Sequence, residues 1–147
     1  MKALKIVAVL MVGYICVIVT FESLLGYFQP GGQSTLSITT TDTSGAAQTR
    51  VVVRLVSDGN LYVAANHWPR AWYHQALANP KVLIDFYGQS EPAAPYLATL
   101  VTGAEQARVA ADNPTSFGFR LLTGFPPRYF LRLDPASDSD NLKAVAR

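Results

Sequence analysis

A nearly continuous apolar run close to the N-terminus constrains the fold of this chain more than any other feature. The run extends from Ile6 to Phe21, is interrupted by Glu22-Ser23, and resumes over Leu24–Phe28. At a rise of about 1.5 Å per residue, a helix from residue 6 to residue 28 would be roughly 35 Å long. Because the hydrocarbon core of a bilayer is about 30 Å thick, we expect residues 1–28 to form a single transmembrane anchor.

The alternative to an anchor is a cleaved signal peptide, since Met1–Lys5 is a suitable basic segment. No small-x-small cleavage site follows the run, which continues as FESLL, so an uncleaved anchor is the favoured interpretation. Lys2 and Lys5 precede the run, whereas the first basic residue after it is Arg50. The positive-inside rule then predicts a single-pass protein of a bacterial-type inner (plasma) membrane. Its N-terminus would be cytoplasmic and its domain would lie on the outer, periplasmic side.

The rest of the chain is long enough for one small domain. Residues 29–33 (QPGGQ) are typical of a linker, residues 34–135 of a folded domain with one modest core, and residues 136–147 of a polar tail. Cys16 is the single cysteine, which excludes an intrachain disulfide and a cysteine-based metal site. Neither histidine has acidic neighbours at ligand spacing, so no metal is expected. A net charge of +2 without a basic cluster gives no reason to expect nucleic acid as a partner.

The pattern of β-branched and apolar residues predicts a mainly β fold of the α+β class. We expect six strands, at Thr35–Thr41, Gln48–Val56, Leu61–Ala65, Lys81–Tyr87, Tyr96–Val101 and Arg128–Leu133. Turn signals at Asp42–Ala47 and Asp58-Gly59 join the first three strands into a meander. Mostly local connections favour a small antiparallel β-barrel with helices at its ends.

Two short helices are expected in this domain, at Ala71–Ala78 and Gly103–Ala111. Pro80 ends the first helix, because a proline disfavours helix at the residue before it. Thr102 and Glu105 have the spacing of a capping box, which predicts that they begin the second helix. Ser116–Leu122 is ambiguous between helix and strand.

Polar and aromatic residues around the first of these helices are candidates for binding an anion or a cofactor. Asn66, His67 and Arg70 form either an anion grip at a helix N-terminus or a solvated turn with a capping Asn. Trp72 and Tyr73 either stack on a planar ring of the isoalloxazine type or belong half to the core and half to an interface.

Charged residues elsewhere have two interpretations as well. Arg50 and Arg54 are four residues apart on one face of a strand, where they either reach a phosphate or coat a solvent face. Glu22 is unusual in a membrane segment, where a carboxylate is costly and often has a partner, although near the helix end it can reach the headgroups. His74 is expected to be an exposed polar residue.

The chain from about Thr35 to Pro135 resembles the deazaflavin-dependent nitroreductase family, a branch of the FMN-binding split β-barrel proteins. The resemblance rests on the order and spacing of the Thr-rich first strand, Gln48-x-Arg50, Asp58-Gly59, Trp72-Tyr73, Ala78-Asn79-Pro80-x-Val82 and the closing Asp134-Pro135. It implies a deazaflavin coenzyme or FMN at the rim of a split barrel, with hydride transfer to a quinone, nitroaromatic or enone. In such a reaction the cofactor supplies the chemistry and the protein positions it, so no catalytic side chain is assigned.

The chain departs from the family pattern at both phosphate contacts that the resemblance implies. Family members carry Gly-Arg-Lys-Thr-Gly before the Gln-x-Arg, and an ungapped match places Ser44 and Gly45 at the two basic positions. A second contact, from a Ser-Lys after the third strand, matches Asn66 and His67, with Arg70 as a possible substitute. Each charge-assisted contact contributes about 1.5–3 kcal/mol, so losing two would weaken cofactor binding by orders of magnitude. Backbone N–H groups of the turn are the remaining source of anion contacts.

Three functions stay open at this point. The first is a membrane-anchored oxidoreductase that uses a deazaflavin or FMN to reduce a quinone-like acceptor. The second is a non-catalytic accessory subunit of an inner-membrane protein complex that has lost cofactor binding. Its partner subunits would contact the anchor helix and the exposed aromatics. The third is a carrier of a tetrapyrrole or a lipid.

Overall fold

The computed structural model describes residues 2–27, 34–67, 71–88 and 90–136. Its elements are α1 (Lys2–Tyr27), β1 (Thr35–Thr41), β2 (Ala47–Val53), β3 (Leu55–Ser57), β4 (Asn60–Ala65), α2 (Ala71–Ala78), β5 (Lys81–Phe86), β6 (Ala94–Leu100), α3 (Gly103–Asp112), α4 (Phe117–Leu122) and β7 (Tyr129–Pro135). They pack as two units. The barrel unit contains the strands with α2 and α3, and the helical unit contains α1, α4, Asn66 and His67.

The boundaries expected from the sequence lie partly outside the described residues. The linker at 29–33 is outside them, and so is the tail apart from Ala136. The division into anchor, linker, domain and tail therefore stays a prediction.

The seven strands of the barrel unit form one antiparallel sheet in the order β2-β1-β5-β6-β7-β4-β3. The first and last strands of this order, β2 and β3, are separated in the chain by Arg54 alone. The sheet must therefore curl until its two ends come together, which gives an open half-barrel. The α+β class and the barrel-like sheet agree with the expectation from sequence.

The expected number of strands is wrong by one, because the predicted strand Gln48–Val56 is bent into two. Arg54 lies between the two ladders: its N–H donates to the Ser34 carbonyl at 2.9 Å, which is the last bond to the β1 side, and its guanidinium lies 5.5 Å from the centre of the Phe86 ring. Before the bend the chain pairs with β1, and after it the chain pairs with β4. The predicted meander is thus present in a bent form, and Arg54 lies between β2 and β3.

The main core fills the concave side of the curled sheet. Its buried members are Leu36, Ile38, Val63, Ala65, Tyr73, Ala76, Val82, Ile84, Ala98, Leu131 and Leu133. In β1 and β5 buried residues alternate with more exposed ones, as a sheet with one buried face requires. A buried side chain of Val or Leu size contributes about 1.5–3 kcal/mol, so this cluster supplies most of the drive to close the sheet.

Helix α2 covers this core and is held there by a buried hydrogen bond. Tyr73 and Ala76, three residues apart, are the buried positions of the helix. The fully buried Thr40 hydroxyl donates to Gln75 Oε1 at 2.7 Å, which satisfies a group that would otherwise be costly to bury. The helix ends before Pro80 as expected, with the Asn79 N–H bonded to the Gln75 carbonyl at 2.8 Å.

Helix α3 packs over a second, smaller cluster that consists of Tyr62, Val101, Val109 and Phe130. The Tyr62 hydroxyl donates to Glu105 Oε1 at 2.8 Å. Arg132 then bridges two carboxylates, with Nη1 at 3.2 Å from Glu105 and Nε at 3.0 Å from Asp134. The predicted capping box is absent, since Thr102 makes no side-chain cap bond and Glu105 is engaged by Tyr62 and Arg132.

The ambiguous segment Ser116–Leu122 is resolved as helix. Ser116 is its N-cap and accepts a hydrogen bond from the Phe119 N–H at 3.3 Å. The described part of the domain therefore has three short helices, one more than expected.

Helix α1 is an exposed apolar helix at the N-terminal end of the chain. Its segment Lys2–Leu25 has the length and composition to cross a membrane, and none of its most apolar stretch is buried inside the protein. These properties fit a membrane anchor and also fit a signal sequence.

The Glu105 network predicts a specific dependence of stability on pH. The hydrogen bond from Tyr62 and the charges of Arg132 and Arg108 lower the pKa of Glu105, against a smaller opposing effect of burial. A carboxylate with a depressed pKa stabilises the fold above its unfolded pKa, near 4.3, and loses this contribution as the pH falls further. We expect Glu105→Gln to lower the urea midpoint at neutral pH and to lose this difference towards about pH 3.

Urea unfolding of the detergent-solubilised chain, followed by circular dichroism at several pH values, measures this effect. Glu91→Gln is the matched control, because Glu91 is exposed and should leave the midpoint unchanged. A midpoint difference for Glu105→Gln that stays constant down to about pH 3 would contradict the prediction.

Candidate functional site

The residues predicted to bind a cofactor fall into both units. Ser44, Gly45, Arg50, Trp72 and Tyr73 belong to the barrel unit, whereas Asn66 and His67 belong to the helical unit. The remaining candidate, Arg70, lies outside the described residues.

The turn between β1 and β2, which aligns with the family's phosphate-binding motif, is held by its own carboxylate. Asp42 Oδ1 accepts from the Ser44 N–H at 2.9 Å, the Ser44 hydroxyl at 2.6 Å and the Ala46 N–H at 2.9 Å. The Asp42 carbonyl accepts from the Gly45 N–H at 3.1 Å. Gly45 has φ of 85°, a left-handed conformation that glycine adopts without strain.

This arrangement leaves the turn poorly suited to a phosphate. The N–H groups of residues 44, 45 and 46 all donate to Asp42, and the hydrogen bond from the Ser44 hydroxyl, followed by the one from the Ala46 N–H, lowers the pKa of the Asp42 carboxyl. A carboxylate that stays ionised occupies the place an anion would take and repels a second anion. The turn as observed therefore does not fit the phosphate of a cofactor, and other residues would have to hold one.

Arg50 lies in the exposed first half of β2, opposite Ile38 of β1. The neighbouring pair Thr39 and Thr49 joins the same two strands through their hydroxyls at 2.7 Å. Among the described residues of this hairpin, Arg50 is the basic side chain that is exposed and could contact an anionic ligand.

Trp72 and Tyr73 are parts of the core to different degrees. Tyr73 is 5% exposed and stacks on Tyr129, with ring centroids 5.4 Å apart and planes inclined by 21°. Trp72 is half-buried and meets Tyr73 edge to face at 6.3 Å. Tyr73 thus already has a stacking partner, and Trp72 retains surface that a planar ligand could contact.

In the helical unit, the His67 ring lies within hydrogen-bond distance of the carboxylate of the apolar helix. Its Nδ1 lies 3.3 Å from Glu22 Oε1, with the Glu22 side chain 10% exposed and the His67 side chain 40% exposed. The Phe119 ring packs edge to face on His67 at 5.4 Å and on Phe21 at 6.2 Å. The partner that sequence reasoning sought for Glu22 is therefore the histidine that was a candidate for phosphate binding.

An open apolar groove of about 360 Å³ lies in the same unit, lined by Cys16, Val17, Thr20, Phe21, Leu24 and Leu122. Within residues 2–27, 34–67, 71–88 and 90–136, no group of three His, Cys, Asp or Glu side chains could hold a metal ion.

Sequence reasoning missed two features of these candidate sites. The Asp-Thr-Ser-Gly run at 42–45 is a known signal for a turn closed by an aspartate side chain, so the role of Asp42 could have been found. The Glu22–His67 pair could not, because the two residues are 45 positions apart and no local pattern connects them.

The chain matches a known protein family over more than half of its length. The model of the F420H(2)-dependent quinone reductase family matches residues 17–116 of the 147. The chain belongs to the deazaflavin-dependent quinone reductase family. The family recognised in the sequence motifs is thereby confirmed, and the cofactor of this deazaflavin-dependent quinone reductase family is reduced F420.

Solved structures similar to this family member share its split-barrel fold. The heme storage protein HutZ from Vibrio cholerae is 17% identical with a TM-score of 0.54, over 82% of this chain and 88% of HutZ. Atu2129 from Agrobacterium tumefaciens, whose function is unknown, is 17% identical with a TM-score of 0.53, over 71% of this chain and 49% of that protein. The F420-H2 dependent reductase FDR-A is 20% identical with a TM-score of 0.49, over 68% of this chain and 94% of FDR-A. At such identities the likeness to HutZ and Atu2129, whose TM-scores exceed 0.5, shows the fold alone. None of the curated proteins matches the chain.

The Glu22–His67 pair predicts unequal effects for the two histidines of this family member. Removing His67 leaves a mostly buried carboxylate without its partner, which costs about 1–3 kcal/mol of unfolding free energy. We expect His67→Ala to destabilise the protein by that amount. His74→Ala, the matched control at an exposed position of α2, should stay within about 0.5 kcal/mol of the unchanged chain.

Chemical denaturation in detergent micelles at neutral pH measures both variants. Glu22→Gln combined with His67→Ala should recover part of the loss, because no charge is then left unpaired. Equal losses for His67→Ala and His74→Ala would show that the pair contributes nothing to stability.

Proposed function

We propose that this chain is a membrane-anchored reductase of quinone-like, lipid-soluble acceptors that uses a reduced deazaflavin. The observation that carries the proposal is the combination of the family match over residues 17–116 with an exposed helix of membrane-spanning length. Quinones with long side chains reside in the bilayer, so an anchor would bring the domain to its substrate. When bound, the deazaflavin supplies the hydride.

The residues of this chain that would hold a cofactor differ from those of the family pattern. Arg50 on β2 and the accessible part of Trp72 are the features of the barrel unit that support binding. The turn at 42–46 opposes it, because its N–H groups and its charge are committed to Asp42. We therefore expect weaker cofactor binding than in a member with a basic turn.

The turn at 42–46, whose N–H groups donate to Asp42, also favours a second candidate function. In that function the chain is an accessory subunit that has lost its cofactor. The exposed aromatic and apolar surface would then contact partner subunits in a membrane complex. HutZ is a heme storage protein, and a tetrapyrrole carried by this chain would be visible in the same absorbance spectrum that reveals a flavin.

Titration of the purified chain with F420 and with FMN separates these functions. A dissociation constant below about 10 µM, equivalent to roughly 7 kcal/mol, supports the reductase. A colourless protein that binds neither compound and co-purifies with other membrane polypeptides overturns it in favour of the accessory subunit.

A variant pair tests whether the closed turn limits binding. Asp42→Asn combined with Ser44→Arg removes the competing charge and restores one basic contact, so we expect F420 to bind roughly 10- to 100-fold tighter. Asp58→Asn with Asn60→Arg makes the same change in net charge at the other hairpin and should have little effect. Equal affinities of the two double variants would show that the turn is not the phosphate subsite.

The proposed orientation has its own test. Lys2 and Lys5 predict a domain on the outer side of the inner membrane, so alkaline phosphatase fused after Arg147 should be active. Lys2→Glu with Lys5→Glu should reduce that activity by removing the charge bias. An inactive fusion with the unchanged chain would place the domain in the cytoplasm, where reduced deazaflavin is produced.

A further inference from the structure

Helix α4 and the turn after it expose an unusual amount of apolar surface for so short a segment. Phe117 is 71% exposed, Leu121 and Phe125 are each 42% exposed, and Leu122 is 39% exposed. None of the six residues of α4 is buried. Contiguous exposed apolar surface of this kind marks an interaction site with a protein or a membrane.

Three contacts fix this segment against the middle and the second half of α1. The Tyr14 hydroxyl donates to the Leu121 carbonyl at 2.8 Å, and the Phe21 and Phe119 rings meet edge to face at 6.2 Å. Gly124 comes so close to Ile18 that an added Cβ would lie 2.7 Å from Ile18 Cδ1. All three α1 residues lie within the stretch long and apolar enough to cross a membrane.

The position of these contacts along α1 sets the depth of α4. Lys5 and Glu22 are the charged residues that flank the apolar stretch, and they are 17 positions, or about 26 Å of helix, apart. Tyr14 lies 8 positions, or about 12 Å, before Glu22. If α1 spans a hydrocarbon core of about 30 Å, the contacts hold α4 within the half of the bilayer on the Glu22 side.

Many backbone groups of this segment are paired within it, which lowers the free-energy cost of a location in hydrocarbon. The N–H groups of residues 119, 120, 123, 124 and 125 all donate within the segment. The Leu121 carbonyl accepts from both Gly124 and Tyr14, and the buried Thr123 hydroxyl bonds to the Phe119 and Arg120 carbonyls at 3.0 and 3.2 Å.

The charged residues of the helical unit are compatible with this location. Arg120 is the one charged side chain of α4, and its guanidinium lies 5.3 Å from the centre of the Phe125 ring. Its long apolar stem allows the head to reach the headgroup region while the rest stays in hydrocarbon. Glu22 is paired with His67 at the level where α1 would leave the hydrocarbon.

We propose that residues 115–127 form a second membrane-embedded segment, with α4 inserted beside α1 into the leaflet on the Glu22 side. Its exposed side chains contact lipid acyl chains, and an acyl chain fills the groove lined by Cys16, Phe21 and Leu122. The proposal rests on the proposed anchoring by α1 and adds that the protein enters the bilayer at a second place.

Site-directed spin labelling of the full chain in vesicles of phosphatidylcholine and phosphatidylglycerol tests the inference. In a Cys16→Ala background, single labels are placed through Phe117→Cys and Phe125→Cys, both at exposed positions. Val9→Cys in α1 is the reference for hydrocarbon depth, and Ala107→Cys on the exposed face of α3 is the matched reference for water. Collision with oxygen, relative to collision with a water-soluble nickel chelate, reports the depth of each label.

We expect the ratio of oxygen collisions to nickel-chelate collisions to be several-fold higher for labels at 117 and 125 than for the label at 107. The inference would be overturned, and the anchor left intact, if the labels at 117 and 125 had the same collision ratio as the label at 107 while the label at 9 had the ratio of a site in hydrocarbon. A label at position 9 that behaves like 107 would overturn the anchor as well. Labels at 117 and 125 shielded from both reagents would show that protein covers α4, either a second copy or a partner subunit, and would also overturn it.

Discussion

The bend at Arg54 determines the shape of the barrel unit. One continuous segment of chain supplies both ends of the strand order, so the sheet curls into a half-barrel whose two ends meet at the single residue Arg54. The break is stabilised by a backbone bond to Ser34 and by the stacking of the guanidinium on Phe86. The concave core and the position of α2 over it follow from this curvature.

Both places at which the family pattern expects a phosphate contact are occupied by an acidic residue of the chain itself. Asp42 accepts hydrogen bonds from N–H groups of the first turn, and the Glu22 carboxylate contacts the imidazole of His67. The two arrangements arise in separate units and from residues far apart in sequence. Each satisfies, within the protein, groups that the family pattern would use for an anion.

The sequence predicted the element types well because each depends on local patterns. Alternation in β1 and β5, the helix of residues 71–78 and its end before Pro80 were all predictable from neighbours along the chain. The bend at Arg54 was not, because it depends on contacts with Ser34 and Phe86 from other parts of the fold. The capping box failed for a similar reason: Glu105 gains more from Tyr62 and Arg132 than from a backbone N–H.

The candidate site was less predictable than the fold. Motif order identified the family, yet the state of each site residue depends on long-range packing, as with the burial of Tyr73 against Tyr129. Trp72 and Arg50 can contact a ligand only with the surface that stays exposed once the core has formed. That surface depends on tertiary packing, which a sequence pattern does not contain.

The close approach of Gly124 to Ile18 shows what the N-terminal helix does for the fold of the helical unit. The segment around α4 is folded against side chains of this helix, so the helix is a structural element of the unit. A chain that lost the helix would lack Tyr14, Ile18 and Phe21, and Phe119 would lose one of its ring contacts. Cleavage within the helix would therefore remove part of the surface against which α4 packs.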